Sequence, residues 1–109
     1  MNIRKKIAVT SQNRKTVTGH AGRCRRFWIY TVDGGEVTGK ILLELGMEES
    51  FHDSDSNAPH PLDDVDILLT GGMGPGLAQR MARKGIEALV TSETDPDAAI
   101  KHYLHSRSG

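Results

Sequence analysis

A glycine-rich loop between two regular segments is the part of this chain best suited to hold a ligand. The apolar run at 65–70 predicts a buried strand, and the segment 77–84 predicts a helix. The loop that joins them contains Gly71, Gly72, Met73, Gly74 and Gly76. Glycine lets the backbone turn tightly and approach a ligand, and a helix start leaves N–H groups unpaired at the positive end of its dipole. The pattern therefore predicts a seat for a negatively charged group.

Neither of two common phosphate-binding motifs is present in this loop. A P-loop ends in Gly-Lys followed by Ser or Thr, and no such sequence follows these glycines. The dinucleotide motif needs a third glycine where this chain has Leu77 or Gln79, depending on which glycine begins it. The loop does not specify a nucleotide, and an ordinary tight turn between strand and helix is the alternative interpretation.

The candidate metal ligand is His20, in the polar, glycine-containing segment 11–23. A neutral imidazole is a good ligand for iron, copper or zinc, and the alternative is a histidine that is only hydrated. Cys24 could add a soft thiolate, but its place at the start of an apolar strand favours a small buried residue.

Other metal-ligating residue types lie in the long segment 46–64. They are His52, Asp53, Asp55 and His60. Their spacing fits no closed zinc site, and the chain has neither a Cys-x-x-Cys nor a His-Glu-x-x-His motif. A dedicated metal site in this segment is therefore the weaker hypothesis.

Basic residues are concentrated near the N-terminus, although the formal net charge is zero. Residues 1–32 contain no acidic residue and carry Arg4, Lys5, Lys6, Arg14, Lys15, Arg23, Arg25 and Arg26. This asymmetry indicates an anionic partner, for which Arg14, Lys15 and Arg23 are candidates, unless folding brings acidic side chains beside them. Consecutive residues of a strand face opposite sides, so the whole set cannot serve one ligand.

The strands and helices that must position these residues follow from hydrophobic periodicity. Strands are predicted at 7–10, 24–32, 37–45, 65–70 and 86–91, with a hairpin turn at Asp33-Gly34-Gly35. The third strand places on one apolar face Val37, Ile41, Leu43 and Leu45. The first helix has the apolar face Leu77, Ala78, Met81 and Ala82, with Pro75 in its first turn and Gly85 at its end. The last helix begins at 94–97 and has the apolar face Ala99, Ile100, Tyr103 and Leu104. The acidic segment 46–64 predicts a long loop with one helical turn near 61–64.

This order of elements predicts an α/β fold with one five-stranded mixed sheet. The strand order is 3-2-1-4-5, with strand two antiparallel to the rest and helices packed on the sheet. Strands one and four are then parallel neighbours at the point where the order switches, which is the usual ligand crevice of open α/β sheets. The loops 11–23 and 71–76 would therefore share one edge of the sheet.

Composition limits the classes of function. A chain of 109 residues with 37% hydrophobic and 26% charged residues is expected to form one globular domain. One cysteine and no long apolar stretch favour a cytoplasmic protein without a signal peptide or membrane span. The first strand carries no carboxylate for a metal-dependent nuclease, and no Gly-x-Ser-x-Gly elbow is present, so we expect a binding protein rather than an enzyme.

Several short motifs, taken in order and spacing, resemble the dinitrogenase iron–molybdenum cofactor biosynthesis family. They are Lys-Ile-Ala-Val-Thr at 6–10, Val-Thr-Gly-His-Ala-Gly-Arg at 17–23 with Phe27, the segment 65–76, and Gly-Ile at 85–86. The family comprises NifX- and NafY-like carriers and a domain found after the radical enzyme NifB. The resemblance covers about 6–104, within a single domain of 1–109.

The resemblance implies a ribonuclease H-like fold without nuclease activity. It also implies binding and transfer of iron–sulfur or molybdenum–iron–sulfur cluster precursors; a relative, the orange protein, holds a molybdenum–copper sulfide cluster. The family's His-Phe-Gly motif corresponds here to His20, Ala21 and Gly22, so the implicated histidine is kept and the phenylalanine is not.

The leading hypothesis is a cytoplasmic, non-catalytic carrier of an anionic metal–sulfur cluster. His20 would be the metal ligand, backbone N–H groups from Gly72 to Gly76 would hold sulfides, and the basic candidates would supply charge. Cluster donor and acceptor proteins would be its partners, with no membrane and no nucleic acid expected. The alternative is a regulatory or interaction module that binds a small anionic metabolite or a protein without metal.

Overall fold

Five strands form one mixed sheet in the order β3-β2-β1-β4-β5, as the sequence predicted. The structure is a computed structural model that describes residues 4–55 and 58–108. The strands are β1 (Arg4–Thr10), β2 (Arg26–Asp33), β3 (Glu36–Glu44), β4 (Ile67–Thr70) and β5 (Glu87–Val90). The helices are α1 (Pro75–Arg83), α2 (Pro96–Ser108) and a single 3₁₀ turn (Pro61–Asp64).

Strand β2 runs antiparallel to both of its neighbours, and β1, β4 and β5 are parallel to one another. In the β1–β4 pair, Ile7 lies opposite Ile67 and Val9 opposite Leu69. This register brings the carboxyl ends of β1 and β4 to the same edge, so the segments that follow them begin side by side.

Two apolar cores cover the two faces of the sheet. Successive residues of β1 alternate between them, with Ala8 in the core beneath α1 and Ile7 and Val9 in the core beneath α2. Such strands, buried on both faces, are expected at the centre of an α/β sheet. The hydroxyl of Tyr30 donates a hydrogen bond to Asp97 in the first turn of α2, which fixes this helix against the sheet.

The predicted apolar face of the third strand is only partly buried. Leu45, just after β3, is buried and Leu43 is half-buried, but Val37 is 47% and Ile41 64% exposed. Strand β3 is an edge strand, and the β2–β3 register shifts between Thr31 and Val32. Val37 therefore pairs with Val32 of the α2 core, whereas Ile41 pairs with Ile29 of the α1 core. The prediction of one apolar face from Val37 to Leu45 was therefore wrong at Val37, and Ile41 keeps that face but is exposed at the edge of the sheet.

Two local predictions also needed correction. Strand β2 begins at Arg26, so Cys24 and Arg25 belong to the preceding loop rather than to an alternating strand. Helix α1 ends where predicted, with Gly85 at φ 75° just beyond it, but Ala82 on the expected apolar face is exposed. Arg80, two residues earlier on the same helix, is buried instead.

The segment between β3 and β4 is anchored to the core by aromatic packing. Phe51 is 4% exposed, and its ring stacks on that of His60 with centroids 4.5 Å apart. His60 also caps the 3₁₀ turn, because its Nδ1 accepts a hydrogen bond from the Leu62 N–H while its Nε2 contacts the Glu49 carbonyl. No helix in the described ranges is long and apolar enough to span a membrane.

His60 should make the stability of the fold depend on pH. Burial lowers the pKa of His60 below its ordinary value of 6.5, so the unfolded chain binds this proton more tightly than the folded chain does. The contribution is fully present above about pH 6.5 and is lost as the pH falls. The free energy of unfolding, measured with urea at pH 7.5 and 5.5, should fall less between these two pH values in His60→Gln than in the wild type. An equal fall in the free energy of unfolding of both proteins would contradict a contribution of His60 to this pH dependence.

Candidate functional site

The loops that follow β1 and β4 are joined by backbone hydrogen bonds. The Gly71 N–H donates to the Thr18 carbonyl at 3.0 Å, and the Ala21 N–H donates to the Gly72 carbonyl at 3.1 Å. A Cβ built on Gly71 would lie 3.2 Å from the Thr18 oxygen, so only glycine fits this approach without displacement. The two segments that the sequence assigned to one edge therefore touch.

Two buried threonines at the ends of the strands support this contact between the loops. The hydroxyl oxygens of Thr10 and Thr70, at the ends of β1 and β4, lie 2.9 Å apart and are within hydrogen-bonding distance of the Thr18 carbonyl. The Thr70 hydroxyl also lies 3.1 Å from the Gly72 carbonyl. The parallel strand ends thus set the position of both loops.

His20 lies directly beside the glycine loop. A Cβ built on the preceding Gly19 would be 3.6 Å from the Gly72 nitrogen, and the following Ala21 bonds to the Gly72 carbonyl. His20 is exposed and has φ 52°, a left-handed conformation that is uncommon for a residue with a side chain. Its carbonyl accepts hydrogen bonds from Arg23 and Cys24, which closes the turn.

Helix α1 begins at this loop with unpaired backbone donors. Its N-cap is Gly74, and no side chain caps it. Within the described part of the chain, no acceptor is found for the N–H groups of Gly74, Gly76 or Leu77. Gly71, by contrast, uses its N–H to bind Thr18, and the Gly72 N–H faces the Thr70 hydroxyl at 3.3 Å. The donors available to a ligand are therefore those at the helix start.

Folding neutralises some of the basic candidates and leaves others unpaired. Arg14 lies 3.5 Å from Glu44 of β3, and Arg26 shares the same carboxylate at 3.5 Å. Lys15 and Arg23 are exposed, and neither forms an ion pair with any residue that the structure describes. The alternative in which acidic residues cancel the basic ones is thus correct for Arg4, Arg14 and Arg26, and among the three ligand candidates for Arg14 only.

A cleft of about 400 Å³ adjoins the glycine loop. It opens between the start of α1 and the segment 50–55, and its lining is Gly22, Phe51, His52, Ser54, Gly74, Gly76, Leu77, Arg80 and Arg83. Among the described residues of this lining there are two arginines and no carboxylate. The sequence predicted the glycines of this wall but not the contribution of Phe51, His52 or the two arginines.

Arg80 attaches the segment 50–55 to α1. Its guanidinium donates hydrogen bonds to the Phe51 carbonyl at 2.6 Å, the Ser54 hydroxyl at 3.1 Å and the Asp55 carbonyl at 3.2 Å. The side chain is 5% exposed, and burial lowers the pKa of Arg80. The sequence held a signal for this, because Arg80 shares a helix face with Leu77 and Lys84.

The weaker metal hypothesis finds no support in the geometry. Within 4–55 and 58–108, no group of three or more His, Cys, Asp or Glu residues could hold a metal ion. His60 is occupied as a helix cap, and Cys24 is 2% exposed with its thiol against the Arg26 carbonyl. Burial raises the pKa of the Cys24 thiol, so this residue packs as a small apolar group rather than as a thiolate. Met73 is half-buried within the glycine loop.

Gly71→Ala should destabilise the protein, whereas Gly72→Ala should not. The new methyl group at position 71 would press on the Thr18 carbonyl, while the same group at position 72 meets nothing within 4 Å. We expect a loss of about 1–3 kcal/mol for Gly71→Ala and a change within about 0.5 kcal/mol for Gly72→Ala. Urea unfolding measures both, and equal losses would show that the two loops do not meet as described.

Arg80→Ala should cost far more stability than Arg83→Ala, one turn further along α1. Removal of the buried guanidinium leaves two carbonyls and the Ser54 hydroxyl without their donor, at a cost of about 2–3 kcal/mol. Arg83 is exposed and pairs with no described residue, so its loss should change the free energy of unfolding by about 0.5 kcal/mol or less. A similar effect of both variants would argue against this anchor.

Comparison with known proteins agrees with the fold. An uncharacterized protein of Methanocaldococcus jannaschii is 24% identical over 104 residues, which span 94% of this chain and 87% of that protein. The crystal structure of a proposed dinitrogenase from the same organism superimposes with a TM-score of 0.70 at 19% identity, covering 95% of this chain and 91% of the other.

The apo form of the orange protein from Desulfovibrio gigas superimposes with a TM-score of 0.67 at 20% identity, covering 94% of this chain and 89% of the other. At these identities the two structures show a shared fold. The sequence profile of the family described as "Dinitrogenase iron-molybdenum cofactor" matches residues 4–106. Because that match spans nearly the whole chain, this chain belongs to the dinitrogenase iron-molybdenum cofactor family.

Proposed function

We propose that this protein is a carrier that binds an anionic metal–sulfur cluster as cargo. The observation that carries the proposal is the contact between the His20 turn and the glycine loop at the uncapped start of α1. An imidazole and a set of free N–H donors lie at one edge of the sheet, where α/β proteins commonly bind their ligands. Membership of the family supports the same class of cargo.

The electrostatics of this edge favour a negatively charged cargo. The free N–H groups of α1 coincide with the positive end of the helix dipole, and they can donate hydrogen bonds to sulfides. Lys15 and Arg23 lie on the loop that meets the glycines, and they are free of ion pairs with described residues. Arg14 contributes less to the field, because Glu44 offsets its charge.

The proposed attachment is weak enough for a carrier. His20 would supply a single coordinate bond to iron or copper, and hydrogen bonds from α1 would complete the seat. His20 belongs to no group of three or more His, Cys, Asp or Glu residues that could hold a metal ion among residues 4–55 and 58–108. A cargo held by one imidazole and by hydrogen bonds can pass to an acceptor without the loss of several metal–ligand bonds.

The replacement of the motif's phenylalanine by Ala21 bears on the cargo. Ala21 is fully buried and donates its N–H to the glycine loop, so it offers no aromatic wall beside His20. We therefore expect the cargo to be more open to solvent than in members that keep the phenylalanine.

We also propose a location and partner proteins for this carrier. The protein would act without catalysis in the cytoplasm, taking its cargo from a donor protein and delivering it to an acceptor. The single, buried thiol of Cys24 is consistent with a reducing compartment.

His20→Ala should weaken binding of a reconstituted cluster by about tenfold or more. The matched control is His102→Ala, which removes an exposed histidine from α2. Anaerobic reconstitution is done separately with iron and sulfide and with thiomolybdate and copper, followed by visible absorption, metal and sulfide analysis, and gel filtration. We expect a coloured wild-type protein, a similar His102→Ala protein and a largely colourless His20→Ala protein.

Two results would overturn the proposal. One is a wild-type protein that retains no cluster under any of these conditions. The other is an equal cluster content in His20→Ala and His102→Ala, which would place the cargo away from the glycine edge.

A further inference from the structure

Apolar side chains are exposed along one edge of the sheet. Four large hydrophobic residues are exposed in the described chain, and three of them lie on β3 or three residues after it, namely Val37, Ile41 and Met47. The fourth, Val90, lies on β5 at the opposite edge. Exposed apolar residues concentrated on one segment are typical of an interaction surface.

The backbone of β3 offers hydrogen-bonding groups along the same edge. In an antiparallel pair, alternate residues direct their N–H and C=O groups to the neighbouring strand. The Leu45 N–H donates to the Arg25 carbonyl, and the register of β2 and β3 continues this pairing at every second residue back to Gly39. The residues in between direct these groups away from β2, and they are Lys40, Leu42 and Glu44. No strand of the described chain lies on that side of β3.

The sequence of this edge is complementary to itself. Residues 40–44 read Lys-Ile-Leu-Leu-Glu, so a basic residue stands two positions before Leu42 and an acidic residue two positions after it. In an antiparallel second copy with Leu42 opposite the partner's Leu42, Lys40 would face the partner's Glu44 on both sides of the centre. A two-fold interface requires such self-complementarity, because each surface must match its own copy.

Other registers of two copies match less well. A two-fold axis at Lys40 would set two lysines against each other and Glu36 against the partner's Glu44, and like charges directly opposite are destabilising. An axis at Ile41 would place Lys40 opposite the partner's Leu42. Of these three registers, only the one centred on Leu42 sets opposite charges against each other.

The ion pairs that Lys40 and Glu44 form within the chain are compatible with this pairing. Lys40 lies 3.0 Å from Asp97, and Glu44 lies 3.5 Å from both Arg14 and Arg26. The side chain of Lys40 is 37% exposed and that of Glu44 is 52% exposed. Ion pairs between exposed side chains contribute little to stability, so these groups can share their charge with a second strand at small cost.

We propose that β3 pairs with β3 of a second copy of this chain, in an antiparallel dimer with two-fold symmetry. The pairing would satisfy the outward backbone groups of β3 and cover Ile41. Because the interface uses one strand edge, we expect a weak dimer that forms as the protein concentration rises. Strands β2 and β1 separate this edge from β4 and the glycine loop, and the dimer does not depend on a bound cluster.

The test is sedimentation equilibrium of the cluster-free protein at concentrations from about 10 μM to about 1 mM. We expect the wild type to pass from monomer to dimer over this range. Ile41→Lys should weaken the dimer about tenfold or more, because it replaces an apolar contact by a charge in both copies. The matched control is Val90→Lys, the same change at a similarly exposed residue of the other edge strand, and it should leave the dimer unchanged.

An exchange of charges tests the register. Lys40→Glu and Glu44→Lys should each weaken the dimer about tenfold, because each sets like charges opposite one another on both sides of the two-fold axis. The double variant Lys40→Glu/Glu44→Lys should recover most of the wild-type affinity. Circular dichroism and thermal unfolding of each variant, at a concentration where it is monomeric, verify that it is folded.

Three results would overturn the proposal. A wild-type protein that stays monomeric over the whole range would leave this edge to a strand of a different protein. Equal losses in Ile41→Lys and Val90→Lys would place the interface elsewhere. Failure of the double variant to recover the affinity lost in the two single variants would exclude the pairing centred on Leu42.

Discussion

The parallel pairing of β1 with β4 is the constraint on which the candidate site depends. It places Thr10 and Thr70 side by side, and their buried hydroxyls lie 2.9 Å apart against the Thr18 carbonyl. The loop after each strand then starts from a fixed point, so His20 and the glycine loop meet although about fifty residues separate them. Because only a bare backbone fits at Gly71, this contact also explains a glycine that has no positive φ.

Some of the basic residues near this edge form ion pairs within the fold, and others carry no such pair. Glu44 of β3 pairs with Arg14 and Arg26, so part of the basic N-terminal half serves to join the first loop to the edge strand. Lys15 and Arg23 remain without ion pairs in the described chain, and they lie on the loop that meets the glycines. Unpaired basic side chains can therefore occur at this edge although the formal net charge is zero.

Arg80 connects the stability of the fold to the shape of the cleft. Burial of a charged side chain carries a large desolvation cost, and its hydrogen bonds must offset that cost. Here the guanidinium fixes three acceptors on the segment 50–55 and lies 5.1 Å from the ring centroid of Phe51. The same arrangement that closes the core therefore forms one wall of the cleft and leaves it electropositive.

The sequence by itself determined the order of the sheet, the place of Pro75 in the first turn of α1, the end of α1 before Gly85, and the two loops that meet. These features follow from hydrophobic periodicity and turn residues, which depend on residues close in sequence, and from the general right-handedness of the crossover between parallel strands. Only the tertiary structure decided that Ile41 is exposed, that Glu44 pairs with Arg14, and that Arg80 is buried against Phe51. Each of these outcomes depends on which distant segment covers a side chain, and the spacing of residues along a chain carries no record of that.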